Sequence, residues 1–439
     1  FELNYVAGGT TTSEFGEAGM AAGSDLFMMK GANVRLEPGQ GNEIRFEGDI
    51  ADDSLATNDG FMNADGDGAD ITIAGNGGLV IFNGENTYSG NTILEGASLT
   101  AEMGVGVSDS SLLRFNGAGL STLTTTSTSG LALGTVGTFL LQDDYVRRAG
   151  SDPFETSWTG SGGFASSDDG GTTVVNLGQL NAETELGQSL TWGADGFFVA
   201  SSTTGAGIDG TLTFGSEQST GAIRFTNDVD LNTFDGNGSA GTIGRVAVFN
   251  TVTAAPDTGS KVSSKATLSG NWINGGLLIG DAASDSNYDG TLFMTGANDL
   301  TTLILADGRL STYNEDGDAG ELMADTSEII VSANSYLDTF GAEKTTSAHV
   351  LSDGNWSVFG ATEATGNVIN NGTLNLLGTD STLPELFGVG TTTTVFDWLV
   401  DTQDLTYVSA DFADWDGTLT VGGNFSTTVG SVTNQFGAI

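Results

Sequence analysis

Residues 75–101 read GNGGLVIFNGENTYSGNTILEGASLTA, and this stretch decides how the rest of the chain is interpreted. Turn-forming residues divide it at Gly77-Gly78, at Gly84–Gly90 and at Glu95-Gly96. Between these turns, apolar or β-branched residues occupy alternating positions: Leu79, Ile81, Thr92, Leu94, Leu99 and Ala101. Alternation with a period of two, bounded by Gly and Asn, predicts short half-buried β-strands.

A shorter version of the same pattern recurs later in the chain. In each copy an Asp-Gly or Asn-Gly turn leads into a strand that starts with Thr-Leu and closes at Gly. The copies are Asp209–Gly215, Asp289–Gly296, Asn371–Gly378 and Asp416–Gly422. Repeated turn-plus-strand units predict an all-β fold and favour a β-solenoid, similar to a parallel β-helix, with irregular loops. An array of β-sandwich domains is the alternative, since it also gives closely spaced turn signals.

Changes in composition predict four regions along the 439 residues. Residues 1–70 are acidic and irregular, and are interpreted as a cap or an assembly region. Residues 71–141 form the β-repeat section, and 171–439 continue the solenoid. Residues 142–170 break the strand rhythm, so the sequence predicts a protruding loop there.

The charge of the chain is strongly unbalanced, with 56 Asp and Glu against 12 Lys and Arg and a formal net charge of −44. Such a chain repels phosphate backbones and anionic membrane surfaces, so we expect no nucleic-acid partner. No apolar run approaches the roughly 20 residues of a membrane helix, so no membrane insertion is expected. The absence of Cys excludes disulfides and thiolate metal sites. Because the chain begins at Phe1, the sequence is expected to be a mature form from which a signal peptide was removed.

The opening stretch also resembles a known repeat. The matching residues are Gly77-Gly78-Leu79, Phe82-Asn83-Gly84, Asn86-Thr87-Tyr88-Ser89-Gly90, Thr92, Gly96 and Leu99. They resemble the autotransporter-associated β-strand repeat, also called the passenger-associated transport repeat, over about thirty residues. The resemblance implies a secreted bacterial protein at the cell surface, with a β-helical fold and no active site within the repeat.

Three acidic loops have a spacing typical of calcium ligands. Oxygen-bearing side chains alternate there with turn residues, as in the first half of a Ca²⁺-binding loop. The candidate metal ligands are Asn63, Asp65, Asp67 and Asp70; Asp285, Asn287 and Asp289; and Asn314, Asp316 and Asp318. Ca²⁺ would relieve carboxylate repulsion in so acidic a chain. The competing interpretation is that Asp, Asn and Gly form tight turns without a metal.

No set of residues predicts catalysis. His349 is the only histidine, and it is interpreted as a strand residue rather than a base. Neither a G-x-S-x-G elbow nor a phosphate-binding loop occurs. The carboxylate pairs Asp52-Asp53, Asp143-Asp144 and Asp168-Asp169 keep a polysaccharide-degrading enzyme open as the less favoured alternative.

One cluster of aromatic and basic residues stands out from the acidic background: Tyr145, Arg147, Arg148 and Trp158. We interpret it as an interaction site on the predicted loop, able to contact the acidic surface of another copy. The favoured function is a structural protein that self-assembles into an extracellular filament or surface layer stabilised by Ca²⁺, with Phe1–Val6 as a free pairing strand. The alternative is an adhesin or passenger domain that binds cell-surface glycans.

Overall fold

The fold is seen in a computed structural model that describes residues 23–54, 68–75, 77–117, 136–178, 187–198, 210–231, 243–251, 262–280, 289–313 and 321–395, the last with gaps at 341, 346, 352, 360, 365–366, 377–380, 384 and 388–390. Beyond residue 395 it describes the strands at 406–407, 418–422, 425–429 and 432–436. The chain divides into two units. Unit 1 comprises Phe1–Leu120 and Leu131–Ile223, and unit 2 comprises Ser121–Gly130 and Arg224–Ile439.

The strands of unit 1 are short, as the turn spacing predicts. They are β1 (Leu26–Met28), β2 (Asn33–Leu36), β3 (Glu43–Phe46), β4 (Ile50–Asp52), β5 (Asp70–Ile73), β6 (Leu79–Phe82), β7 (Thr92–Leu94), β8 (Ser98–Ala101), β9 (Leu113–Phe115), β10 (Gly137–Leu141), β11 (Thr156–Trp158), β12 (Gly162–Ser166), β13 (Thr172–Val175), β14 (Leu190–Thr191) and β15 (Leu212–Phe214). Strand β16 (Ala222–Phe225) contains the boundary between the units.

Unit 2 contains β17 (Val229–Asp230), β18 (Ile243–Val248), β19 (Asn250–Thr251), β20 (Val262–Ser263), β21 (Lys265–Leu268), β22 (Trp272–Ile279), β23 (Thr291–Met294), β24 (Ala297–Leu305), β25 (Arg309–Ser311), β26 (Glu321–Val331), β27 (Tyr336–Thr339), β28 (Ala342–Thr345), β29 (Ser347–Val350), β30 (Asn355–Val358), β31 (Ala361–Ala364), β32 (Asn367–Asn370), β33 (Thr373–Leu376), β34 (Ser381–Leu383), β35 (Glu385–Phe387), β36 (Thr391–Val395), β37 (Thr406–Tyr407), β38 (Thr418–Gly422), β39 (Phe425–Val429) and β40 (Val432–Phe436).

Parallel pairing dominates both units. In unit 1 one ladder runs β3-β6-β8-β10-β12-β15, a second runs β2-β5-β7-β9-β11, and β1 pairs with β4. In unit 2 the ladders are β18-β22-β24-β26-β29-β32-β35, β21-β23-β25-β27-β30-β33-β36-β38 and β28-β31-β34-β37. Antiparallel pairs join β19 to β20 and β39 to β40.

The prediction of an all-β fold is confirmed, since the described residues contain strands and no helix. All four Thr-Leu segments form strands, which are β15, β23, β33 and β38. Long parallel ladders whose neighbours come from successive stretches of chain are consistent with the stacked coils of a β-solenoid. The β-sandwich alternative fits less well, because sandwiches are built from antiparallel sheets.

The opening stretch forms the framework of unit 1. The side chain of Asn86 is buried and links three segments: its Oδ1 accepts from the Ile50 nitrogen at 2.6 Å, and its Nδ2 donates to the Gly106 oxygen at 2.6 Å. The Tyr88 hydroxyl is fully buried and hydrogen-bonds Thr92 Oγ1 at 2.5 Å. Burial raises the pKa of Tyr88 to about 12, against the opposing effect of hydrogen bonds from Thr92 and Ser111.

One predicted region is corrected by the structure. Residues 142–170 do not protrude as one loop, because they contain β11 and β12, whose residues are all buried. The described part of residues 1–70 pairs with the repeat section, because β2 pairs with β5 and β3 pairs with β6 within the same ladders; the role of residues 1–70 as a cap or assembly region stays a prediction. The sequence also predicts a free strand at Phe1–Val6 that could pair with another copy. This segment lies outside the described residues.

Candidate ligand-binding groove

Five neighbouring strands of unit 2, β21, β23, β25, β27 and β30, form the wall of the candidate site. They pair in parallel and in register, so equivalent residues line up across the strands. Because side chains alternate between the faces of a strand, every second residue points inward. The inward row is almost completely buried and consists of Ala266, Leu292, Leu310, Leu337 and Trp356.

The opposite face carries two parallel rows of mainly polar side chains. The first row is Lys265, Thr291, Arg309, Tyr336 and Asn355, and the second is Thr267, Phe293, Ser311, Asp338 and Ser357. An open groove of about 370 Å³ lies on this face. Its lining comprises Lys265, Thr291, Phe293, Arg309, Ser311, Tyr313, Asp338, Phe340 and Phe359. The register of the sheet therefore places two cations, one carboxylate, hydroxyls and aromatic rings around one space.

An aromatic stack forms one side of the groove. The ring centroids of Tyr313 and Phe340 lie 5.0 Å apart, and those of Phe340 and Phe359 lie 4.4 Å apart at an interplanar angle of 8°. These distances are close to the 4.7–4.9 Å between adjacent strands, because each ring follows the end of a successive strand. The outer two rings are the exposed ones: Tyr313 is 40% exposed and Phe359 is 41% exposed.

A charge pair lies beside the aromatic stack. The Asp338 Oδ2 atom is 2.7 Å from Arg309 Nε and 2.5 Å from Arg309 Nη2. The pair is asymmetric, because the Asp338 side chain is 7% exposed whereas the Arg309 side chain is 54% exposed. Burial raises the pKa of Asp338, although the guanidinium of Arg309 opposes that effect. The carboxylate is thus held below the surface while the cation faces solvent.

The interaction residues predicted from the sequence lie mostly in the interior of unit 1. Trp158 is fully buried and its Nε1 donates to the Gly162 oxygen at 3.0 Å. Tyr145 is buried with its hydroxyl bonded to Thr156, and burial raises its pKa to about 12. Arg148 alone among the four is exposed. The prediction that Tyr145, Arg147 and Trp158 form a surface contact is therefore corrected.

Arg147 is a buried structural cation. Its guanidinium donates to the carbonyl oxygens of Ser111 at 3.1 Å and Ser108 at 3.2 Å, and it lies 4.5 Å from the ring centroid of Phe154. Burial lowers the pKa of Arg147, while nearby Tyr145 and Asp109 oppose that shift. These contacts tie the segment around residue 147 to the segment around residue 110, which explains why a charged side chain lies inside.

Of the predicted calcium ligands, the structure describes Asp70 and Asp289. The Asp70 Oδ1 atom accepts from the Asn91 nitrogen at 2.7 Å and from Asn91 Nδ2 at 3.0 Å. The remaining candidates lie outside the described residues: Asn63, Asp65, Asp67, Asp285, Asn287, Asn314, Asp316 and Asp318. Among the residues that are described, no three His, Asp or Glu side chains group closely enough to hold a metal ion. Calcium binding stays a prediction.

The groove was not predicted from the sequence. Its members come from separate segments between Lys265 and Phe359, and only the register of the strands brings them together. The sequence pattern that could have predicted the aromatic side of the groove is weak: Tyr313, Phe340 and Phe359 each follow the end of a strand by one or two positions. His349 lies on β29, in register with Ile330 and Ile369, as expected for a strand residue.

Within the described part of the chain, no helix has the length and apolar character needed to cross a membrane. Comparison with protein families, with curated proteins and with solved structures finds no match to this chain, so the resemblance to the autotransporter-associated repeat stays an expectation.

Proposed function

We propose that this protein is an extracellular, non-catalytic scaffold that binds a carbohydrate polymer in the groove of unit 2. The observation that carries the proposal is the groove lining, which combines exposed aromatic rings with hydroxyl, amine, guanidinium and carboxylate groups. A carbohydrate offers both apolar C–H faces and many hydroxyl groups, so it matches this mixture. A volume of about 370 Å³ falls at the small end of ligand sites, which suits a short segment of a longer chain.

The geometry of the aromatic stack specifies which rings a sugar can contact. Phe340 lies between Tyr313 and Phe359, so both of its faces are used within the stack. The outer rings keep one face each for a ligand, in agreement with their exposure. We therefore assign the apolar contacts with the sugar to Tyr313 and Phe359, and a supporting role to Phe340.

Binding is favoured over hydrolysis on chemical grounds. Most glycoside hydrolases act through two carboxyl groups on either side of the scissile bond. Among the described residues that line the groove, Asp338 is the one carboxylate, and it is paired with Arg309. The proposal accordingly develops the adhesin alternative. The favoured prediction of a Ca²⁺-stabilised filament or surface layer stays a prediction, which negative-stain imaging with and without a chelator would test.

Isothermal titration of the full chain with a panel of oligosaccharides tests the proposal. Tyr313→Ala and Phe359→Ala are each expected to weaken binding of any oligosaccharide that binds by about tenfold, because each removes one aromatic contact. Phe27→Ala, which removes an exposed ring in unit 1, serves as the matched control and should leave binding unchanged. Failure of every oligosaccharide to bind, or equal binding by all three variants, would overturn the proposal.

A further inference from the structure

Exposed aromatic side chains concentrate on the outer face of three neighbouring strands of unit 2. Among the described residues, the well-exposed aromatic side chains are Phe27, Phe154, Tyr313, Tyr336 and Phe359. Three of the five, Tyr313, Tyr336 and Phe359, lie on β25, β27 and β30 or within two positions of their ends. Tyr336 is 51% exposed, the largest fraction of the five, and lies beside the groove lining described above. Such a cluster marks an interaction site, whereas exposed rings scattered singly do not.

The register of the sheet fixes the position of Tyr336 relative to the groove. Tyr336 pairs with Arg309, and Asp338 follows two positions later on the same face of β27. Tyr313 lies four positions after Arg309 in the sequence. At about 3.3 Å per residue, Tyr336 and Tyr313 are therefore about 13 Å apart along the strand direction and one strand spacing apart across it. The pair of Arg309 and Asp338 lies between the two tyrosines.

We infer that Tyr336 forms a second sugar subsite, so that the groove binds a neutral glycan of at least three sugar units along the direction of the strands. This inference rests on the proposed function and names the class and the minimum length of its ligand. Two linked sugar rings are shorter than the distance between Tyr313 and Tyr336, whereas three reach from one tyrosine to the other. A sugar at one end of the glycan contacts Tyr313, and a sugar at the other end contacts Tyr336.

The charge pair between the two tyrosines suits the hydroxyl groups of the central sugar. Arg309 contacts Asp338 through Nε and Nη2, and a guanidinium carries further N–H donors on its remaining nitrogen. More than half of the Arg309 side chain is exposed, so these donors can reach a sugar hydroxyl. The order along the strands is therefore aromatic ring, polar pair and aromatic ring, which matches a chain of sugars that offer both C–H faces and hydroxyl groups.

The charges around the groove favour a neutral ligand over an acidic one. Arg309 is paired with Asp338, and Lys265 also makes an interaction of its own. The chain has a formal net charge of −44, so an anionic polymer that approaches the molecule is repelled. A neutral glycan meets no such repulsion, and it binds through aromatic contacts and hydrogen bonds alone.

Titration of the full chain with neutral cello-oligosaccharides and manno-oligosaccharides, from dimer to hexamer, tests the inference. We expect affinity to rise at least about tenfold from dimer to tetramer, because a dimer bound at the aromatic stack does not reach Tyr336. Tyr336→Ala should lower the tetramer affinity by about tenfold and leave the dimer affinity unchanged, whereas Tyr313→Ala should lower both. Tyr336→Phe keeps the ring and should retain the tetramer affinity.

Phe27→Ala, which removes an exposed ring of unit 1, is the matched control, and thermal melting checks that each variant is folded. A tetrameric oligogalacturonate is the acidic arm, and it should bind at least about tenfold more weakly than the neutral tetramer. Equal effects of Tyr336→Ala on dimer and tetramer, or binding of the oligogalacturonate at least as tight as that of the neutral tetramer, would overturn the inference and leave the proposed function standing. Absence of binding by every oligosaccharide, neutral or acidic, would overturn both.

Discussion

The side-chain oxygen of Asn86 lies 2.6 Å from the backbone nitrogen of Ile50, so an amide of the repeat stretch completes the hydrogen bonding of a strand that precedes it by many residues. The other end of the same amide donates to the Gly106 oxygen. Asn86 is 5% exposed, so water cannot replace either bond. Position 86 therefore acts as a structural link, and not as part of a binding site.

Replacement of Asn86 by Ala leaves a buried N–H and a buried C=O without partners. We expect the free energy of unfolding of unit 1 to fall by about 2–6 kcal/mol, at about 1–3 kcal/mol for each of the two unsatisfied groups. Urea unfolding followed by tryptophan fluorescence measures the change. Asn83→Ala is the matched control, because the exposed Asn83 side chain bonds only the exposed carboxylate of Glu47, and its effect should stay within about 0.5 kcal/mol.

Gly90 marks a close approach between segments. A Cβ atom at this position would lie 2.2 Å from the Ala69 oxygen and 2.8 Å from the Asp70 nitrogen, both of which are backbone atoms. Gly90→Ala should destabilise unit 1 by about 1–3 kcal/mol, since the two backbone segments must move apart. At Gly39 the nearest atom is Asn42 Nδ2 at 3.2 Å, the end of a side chain, so Gly39→Ala should have little effect. Equal melting temperatures for the two variants would contradict this account.

Two adjacent arginines provide a direct test of the corrected position of residues 142–170. Arg147→Lys removes the planar group that donates to Ser108 and Ser111 and should lower the free energy of unfolding by about 2–4 kcal/mol. Arg148→Lys changes an exposed residue in the same way and should be neutral. If the segment were a protruding contact loop, neither substitution would affect thermal unfolding.

Acid should weaken unit 1 through Asp52. Burial raises the pKa of this carboxylate, but hydrogen bonds from Ser54, Ser89 and Ala69 outweigh burial and lower its pKa below the ordinary value. Because the folded-state pKa is depressed, the stabilisation is present above the unfolded-state value of about 3.9 and is lost as the pH falls through the folded-state value.

The corresponding variant is Asp52→Asn, which should lower the free energy of unfolding at pH 7 by about 2 kcal/mol. The difference from the unsubstituted protein should shrink in urea unfolding experiments as the pH falls from 5 towards the folded-state pKa of Asp52. Asp143→Asn, at an exposed carboxylate, controls for the change in net charge. A difference that stays constant between pH 7 and acid would show that the charge of Asp52 has no part in the stabilisation.

The alternation of apolar and polar residues within each segment was sufficient to predict the strands, but not which strands pair with each other. In Thr-Leu segments such as Thr291–Met294, the alternation predicts which side chains face inward, because side chains alternate between the two faces of a single strand. Which residues lie side by side depends on the length of every intervening segment. Lys265 pairs with Thr291, and Thr291 with Arg309 on the next strand, in a register that no short motif contains.

The positive charge of Arg147 led to the prediction of a surface position, whereas the side chain is buried, and this difference also has a physical reason. Arginine side chains almost always lie at the surface, unless groups such as backbone carbonyls accept the hydrogen bonds of the buried guanidinium. Those carbonyls belong to Ser108 and Ser111, far away in the sequence.

The parallel register of unit 2 also bears on how the chain reaches its native state. Tyr336 pairs with Asn355, Asn355 with Thr373 and Thr373 with Thr391, so each strand needs only its predecessor, a short distance back along the chain, as a template. Contacts between near neighbours in sequence close small loops and favour rapid folding. Once a first pair has formed, order can spread along the ladder one strand at a time, in the direction in which the chain is synthesised.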